Sequence, residues 1–114
     1  MSPRDASAAN LARAGFLFSA LGDETRLALV ARLSAGGPQS IARLTETSSV
    51  TRQAVTKHLD VLAGAGVVRD TRRGRERIWE IDTARLDEAR EYLEKISRRW
   101  DSALGRLKRF VEET

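Results

Sequence analysis

The chain contains no cysteine, one histidine and only two prolines, and each scarcity removes a class of chemistry. Without thiols it builds neither a disulfide framework nor a thiolate metal site, and cysteine oxidation has no residue to act on. His58 alone makes no imidazole cluster and no His-centred triad, and no glycine-rich phosphate loop occurs, so the residues point away from an enzyme and need no cofactor. No apolar run approaches the ~18 residues of a membrane span. The first twenty residues also lack the basic segment, apolar core and small-residue cleavage site of a leader. These absences predict a soluble, cytoplasmic protein with no membrane contact.

What is present is charge, and its placement matters more than its size. The 114 residues carry a formal net charge of +4 and suffice for one domain with a small core, which favours a partner chain. Residues 51–77 hold seven Lys or Arg against three acids, whereas the remainder balances at thirteen against thirteen. The surplus therefore lies in one block, the electrostatic footprint expected of a nucleic-acid surface.

The block opens in the stretch 40–64, which reads as a helix-turn-helix. Ile41 and Leu44 recur at helical spacing, as do Val55, Leu59 and Leu62. Ser40 and Thr51 stand where N-caps belong, neither with a capping box, and Thr47-Ser48-Ser49 supplies the small polar turn. With Val55, Leu59 and Leu62 inward, the second helix shows Arg52, Gln53, Thr56 and Lys57, with Thr51 at its tip. Arg, Gln and Lys donate to base edges, and Thr bonds a phosphate or touches a thymine methyl. An ordinary solvated face is the competing reading. Its helix ends at Ala63-Gly64-Ala65-Gly66, where Gly64 or Gly66 supplies a left-handed residue. Val67–Thr71 and Glu76–Ile81 follow as two strands around Arg72-Arg73-Gly74-Arg75, with Trp79 and Ile81 on the packed face. This hairpin, about 67–81, carries Arg72, Arg73, Arg75 and nearby Arg77. It suits a basic wing on phosphates or in a minor groove, or else an edge kept soluble by charge.

Helices flank this unit. Met1–Ser7 is expected to fray, and a helix over about 8–21 presents Leu11, Phe16, Ala20 and Leu21, interrupted by Gly15. In LGDETRLALVARLS, Asp23 is a good N-cap, Leu27, Val30 and Leu33 or Ala31 mark the apolar face, and Gly36-Gly37-Pro38 ends the helix. The last segment, about 83–113, reads as one helix of ~45 Å at 1.5 Å per residue. Leu86, Ala89, Leu93, Ile96, Trp100, Ala103, Leu107 and Phe110 are spaced alternately three and four apart, an a/d seam that needs a partner. Leu104 lies beside it. Glu91 with Lys95 and Glu94 with Arg98 are placed to pair at i, i+4, and Gly105 costs about 1 kcal/mol relative to Ala.

With these residues placed, the chain resembles the ArsR-type family of winged-helix repressors over about residues 16–111. LGDETRLALVARLS resembles the family's L-x-D-x-T-R signature, and TRQAVTKHLDVLAGAGVVRDTRRGRERIWEI its recognition helix and wing. The resemblance implies a homodimer held by the first and last helices, with Leu11, Phe16, Leu93, Ile96, Trp100, Leu104, Leu107 and Phe110 in the interface, and an operator released by a signal. Many relatives sense metals through cysteines in the helix here spanning 41–47, or through His and Asp pairs on the last helix. Here Asp87, Glu88, Glu91 and Glu94 stand without histidine, and carboxylates alone bind transition metals poorly. No metal site is expected. Control is left to protein level, to an organic ligand between the first and last helices, or to a protein effector.

The resulting expectation is a mainly α winged helix-turn-helix with a small β-hairpin, spanning 1–114 as one domain. Its function is that of a homodimeric, sequence-specific repressor of double-stranded DNA, with Thr51, Arg52, Gln53, Thr56, Lys57, Arg72, Arg73, Arg75 and Arg77 at the interface. His58 joins them in a structural or phosphate-contact role. The alternative is a winged-helix interaction module whose basic face meets an acidic protein.

Overall fold

The computed structural model describes residues 3–113, with the side chains of residues 9 and 11–113. Five helices and three short strands follow in the order α1 (Pro3–Leu21), α2 (Glu24–Gly36), β1 (Gln39–Ser40), α3 (Ile41–Glu46), α4 (Arg52–Gly64), β2 (Val68–Arg73), β3 (Glu76–Ile81) and α5 (Thr83–Glu113). The expected start of the first helix near residue 8 is too late. Pro3 opens it, as proline can in a first turn where its missing N–H has no helical partner. Met1 and Ser2, part of the stretch expected to fray, lie outside the described residues.

Each of the next three helices begins on a side chain that accepts from a backbone N–H left unpaired by the first turn. Asp23 Oδ2 accepts from Arg26 N at 3.0 Å, Ser40 Oγ from Arg43 N at 3.2 Å, and Thr51 Oγ1 from Ala54 N at 3.1 Å. Two arginines of α2 close other helix ends. Arg26 Nε donates to the Ala20 carbonyl of α1 at 2.5 Å, and Arg32 donates to the Leu44 and Arg43 carbonyls of α3 at 2.6 and 3.1 Å.

The core lies where α2, α3 and α4 meet the sheet. Val55, Leu59 and Leu62 of α4 are fully buried, together with Leu44, Val67 and Trp79. On α2 the buried positions are Leu29 and Leu33 with Val30 at the margin, whereas Leu27 is 51% exposed. The apolar set of α2 thus covers more than one face, and its core contribution comes from the Leu29–Leu33 edge. On α1 the core takes Leu17 and Ala20, while Leu11 and Phe16 stay exposed.

The sheet is antiparallel in the order β1-β3-β2. Its first strand was not expected. Two residues leave no periodicity, and Gln39 and Ser40 become a strand only because Trp79 and Ile78 of β3 pair with them. The hairpin register sets Arg73 against Glu76, so Gly74 and Arg75 alone form the turn and Arg72 and Arg73 belong to the strand rather than the tip. Gly74 has φ 63° there.

Helix α5 has 31 residues, and Ala89 is its only buried one among those described. Its first half packs on α1, where the Phe18 and Tyr92 rings stand 6.0 Å apart and Arg13 reaches Glu88 at 3.2 Å. Its second half projects, giving the chain a long axis of 67 Å. The expected pairs Glu91–Lys95 and Glu94–Arg98 do not form. Arg90 takes Glu94 at 3.1 Å and Arg85 takes Glu88 at 2.6 Å, and among the described residues Lys95 and Arg98 have no ion pair.

Gly66 ends the recognition helix with φ 78°, and Gly64 stays helical, which settles which glycine is left-handed. A Cβ on Gly66 would stand 2.7 Å from Arg85 Cγ of α5. Gly66→Ala should therefore lose about 1–2 kcal/mol from the backbone conformation alone, with a further loss from displacing Arg85. A lowered urea midpoint at unchanged slope is the expected readout.

Candidate nucleic-acid interface

Burial of Val55, Leu59 and Leu62 turns the opposite face of α4 outward. Arg52, Gln53 and Lys57 are exposed there, and their side chains have no hydrogen-bond or ion-pair partner among the described residues. Thr51 and Thr56 also lie at this face, but each is partly committed. Thr51 Oγ1 caps the helix, and Thr56 Oγ1 donates to the Arg52 carbonyl at 2.9 Å, so each retains some capacity for a further bond.

His58 lies apart from this group. Its Nδ1 sits 3.4 Å from Arg26 Nη1 and 3.8 Å from Asp23 Oδ2, against the start of α2. Because a guanidinium only donates, Nδ1 accepts. The imidazole thus links the recognition helix to the residues that cap α2 and close α1, the structural side of the role expected for it. The Arg26 backbone N–H bonded to Asp23 is the main reason that carboxyl is held below its usual range. Sequence reasoning placed Asp23 as a cap but did not find this three-residue link. The L-x-D-x-T-R pattern was the available signal, since it contains both Asp23 and Arg26.

On the wing, Arg72, Arg73 and Arg75 are exposed and unpaired among the described residues. Arg77 is engaged within the fold. Its Nε donates to Asp70 Oδ2 at 2.6 Å, and its Cζ lies 4.9 Å from the centre of the Trp79 ring. Arg69 is likewise paired with Glu80 at 2.9 Å. Across the hairpin, Arg72 stands opposite Arg77, so two like charges face each other unless an anion lies between them.

Helix and wing meet in one groove of about 300 Å³. Arg52 and Thr56 of α4 line one side, Arg72, Arg75 and Arg77 the other, and Ser40 and Ile41 the floor. Four guanidiniums thus converge around a hollow with a single acid, Glu76, at its edge. Such a hollow accepts phosphate oxygens through charge-assisted, often bidentate bonds. The start of α3 was not among the expected site residues. It enters because β1 pairs with β3 and draws Ser40 beneath the wing.

Together, the outward helix face and the adjoining basic wing define a winged helix-turn-helix DNA-binding protein. Residues 21–71 match the family model described as a helix-turn-helix domain. The chain is 38% identical over 87 residues to the HTH-type transcriptional regulator Rv2034 of Mycobacterium tuberculosis, an alignment covering 76% of this chain and 78% of that protein. An ArsR-like transcriptional regulator from Rhodococcus sp. RHA1 superposes with a TM-score of 0.78 at 34% identity, covering 88% of this chain and 93% of the other. The homodimeric winged helix-turn-helix DNA-binding domain Mb0332 from Mycobacterium bovis, a possible ArsR-family regulator, shares the fold with a TM-score of 0.61 at 24% identity and 91% coverage of each chain. The chain belongs to the ArsR family of winged helix-turn-helix transcriptional regulators.

The Asp70–Arg77 pair offers a direct handle on the wing. The hydrogen bond from Arg77 is the main cause holding the Asp70 carboxyl below the usual carboxylate range. Because its folded-state pKa is lowered, the pair contributes fully above the ordinary carboxylate value and is lost as pH falls through the depressed one. Asp70→Asn removes a negative charge beside the groove and releases Arg77 at every pH. Duplex affinity should rise several-fold, and the slope of log affinity against log salt should steepen by about one, measured by fluorescence anisotropy.

Proposed function

We propose that the protein is a homodimeric repressor that sets the outward face of α4 into successive major grooves of an inverted-repeat operator. The wing lies on phosphates or the adjacent minor groove. The observation that carries this reading is the groove in which Arg52 of the helix meets Arg72 and Arg75 of the wing. A module docking on an acidic protein would use the same charge, but it has no need for Gln53, an uncharged group suited to a bidentate contact with adenine.

Selection of bound fragments from genomic DNA tests the proposal. One inverted repeat with half-site centres about 10 base pairs, or a multiple, apart is the expected result. Enrichment without a shared sequence would favour the adaptor reading. Gln53→Ala should relax the preference at one position in each half-site, at about 1–3 kcal/mol per lost bidentate contact, whereas Arg75→Ala should weaken all sequences alike and flatten the salt slope. An unchanged motif after Gln53→Ala would remove that residue from base readout.

Dimerisation is supported by apolar groups that the single chain leaves uncovered. Leu11 and Phe16 of α1 and Leu93, Trp100, Leu104, Leu107 and Phe110 of α5 are all more than half exposed, and Ile96 is half-buried among them. A monomer rarely leaves so continuous an apolar patch open to water. Trp100, in the middle of α5 and 61% exposed, is the largest of these groups. Trp100→Ala should weaken association by about 3 kcal/mol, and operator affinity should fall with it, both followed by sedimentation and anisotropy. A stable monomer of the unaltered protein at tens of micromolar would sink the proposal.

For release from DNA, an organic ligand is supported by a cavity of about 500 Å³ between α1, the end of α4 and α5. Phe16, Leu17, Ala65, Ala89 and Tyr92 give it apolar walls, and its volume lies in the usual range for small-molecule sites. An occupant there presses on Ala63–Gly66, the end of the recognition helix. Zinc, cadmium, nickel and arsenite should leave the protein–operator complex intact at micromolar concentration. Chelator-reversible release without aggregation would reveal a ligand set that the residues do not suggest.

A further inference from the structure

From Lys95 onward, α5 carries a surface that neither the DNA-reading face nor the apolar patch uses. Lys95, Arg98, Arg99, Arg106 and Arg109 are all exposed, and none has an ion-pair or hydrogen-bond partner among the described residues. The first half of the helix behaves differently, because there Arg85 and Arg90 are each taken by a glutamate. At 1.5 Å per residue the five cations span ~21 Å, and at 3.6 residues per turn they form one stripe, with Ser102 in its middle. Of the acids along it, Asp101 falls to one side, Glu94 is taken by Arg90, and Glu91 and Glu113 stand in line with it only at its two ends.

We propose that this stripe is a second site for the phosphodiester backbone, holding another segment of duplex DNA while the recognition helices hold the operator. The inference rests on the operator-binding reading above and adds a bridging activity to it. Three features select the occupant. Four of the five cations are arginines, whose planar forks suit phosphate oxygens better than the point charge of lysine does. Their spacing along a straight rod gives a cation on nearly every turn, matched to a linear polyanion rather than to a compact anion. The stripe is also centred roughly 160° around the helix from Leu93, Trp100, Leu104 and Leu107, with Phe110 alone of the exposed apolar groups near its edge. A bilayer needs basic and apolar groups on adjoining faces, so this helix cannot present both to one membrane surface. A second copy covering the apolar side likewise leaves the stripe open.

The second segment is distinct from the operator because none of the five cations lines the groove between α4 and the wing. The first half of α5 abuts the far end of α4, where Arg85 crowds Gly66, with the whole helix, ~20 Å, between that contact and the reading tip at Thr51.

The test immobilises a 30-base-pair duplex carrying the selected repeat, loads the full-length protein, and measures capture of a labelled 30-base-pair duplex of unrelated sequence. The comparison variant combines Lys95→Gln, Arg98→Gln, Arg99→Gln, Arg106→Gln and Arg109→Gln, exposed positions where glutamine preserves helix propensity. The parent should capture the second duplex with a log–log salt slope of about −4, and the variant should lose at least tenfold of that capture. Its affinity for the immobilised duplex and its sedimentation should stay within twofold of the parent. Equal capture by both proteins, or none by the parent, overturns the proposal. A matching loss of operator affinity would assign the stripe to the first duplex, a shift in sedimentation would assign it to the dimer contact, and capture abolished by a polyglutamate competitor but not by unlabelled duplex would assign it to an acidic protein. Failure to select any repeat would instead overturn the operator reading, and the capture of unrelated duplex by parent and variant would still be compared.

Discussion

Burial of Val55, Leu59 and Leu62 beneath α4 is the contact on which the rest of the structure depends. Each is fully enclosed, and side chains of this size stabilise by about 1.5–3 kcal/mol when taken out of water. That burial fixes the rotation of α4 about its own axis, and a helix has only one opposite face. Arg52, Gln53 and Lys57 point outward because three apolar residues at i, i+4 and i+7 point inward. A polar substitution at Leu59 would therefore harm DNA binding through the core before it touched DNA.

Trp79 connects this core to the wing. It is the largest fully buried side chain among the described residues, it lies on β3 where it pairs with Gln39 of β1, and its ring carries the Arg77 guanidinium on one side. Trp79 Nε1 has no hydrogen-bond partner among the described residues, a cost accepted for packing the hairpin on the helices. The wing is thus held at its base by a buried indole, while its tip, at Gly74 and Arg75, is free to meet a phosphate. Arg26 performs a comparable service on the other side. It closes α1, donates its backbone N–H to Asp23 and reaches His58, so α1, which presents the exposed Leu11 and Phe16, is tied to the recognition helix. A change in how α1 packs has a short physical route to α4.

Charge is divided among three regions with different fates. In the groove, arginines from helix and wing converge. At the start of α5 Arg85 and Arg90 are matched by glutamates, whereas from Lys95 onward only Lys108 is, by Glu112, among the described residues. The apolar groups of α5 follow the same division, because its first half finds α1 and its second half finds nothing in its own chain. Apolar and basic surface are thus both exposed on one projecting helix.

Periodicity made the helix-turn-helix, the basic hairpin and the long last helix legible, because each rests on local spacing that the tertiary structure had no reason to override. The caps Asp23, Ser40 and Thr51 were legible for the same reason, since a cap bonds within three residues of itself. Long-range geometry decided the rest. Gln39 and Ser40 form a strand only because β3 lies beside them, and Leu27 is exposed while Leu29 is buried because α2 meets α4 along one edge. Glu94 turns to Arg90 rather than Arg98, a choice between two partners at the same four-residue spacing on either side of it. The sequence by itself determined which residues carry charge and which helix faces are apolar. Only the fold decided that Arg77 is held by Asp70 and Trp79, that His58 turns to Arg26, and that Arg52 joins the wing in one groove, because these depend on distances between segments far apart in the chain.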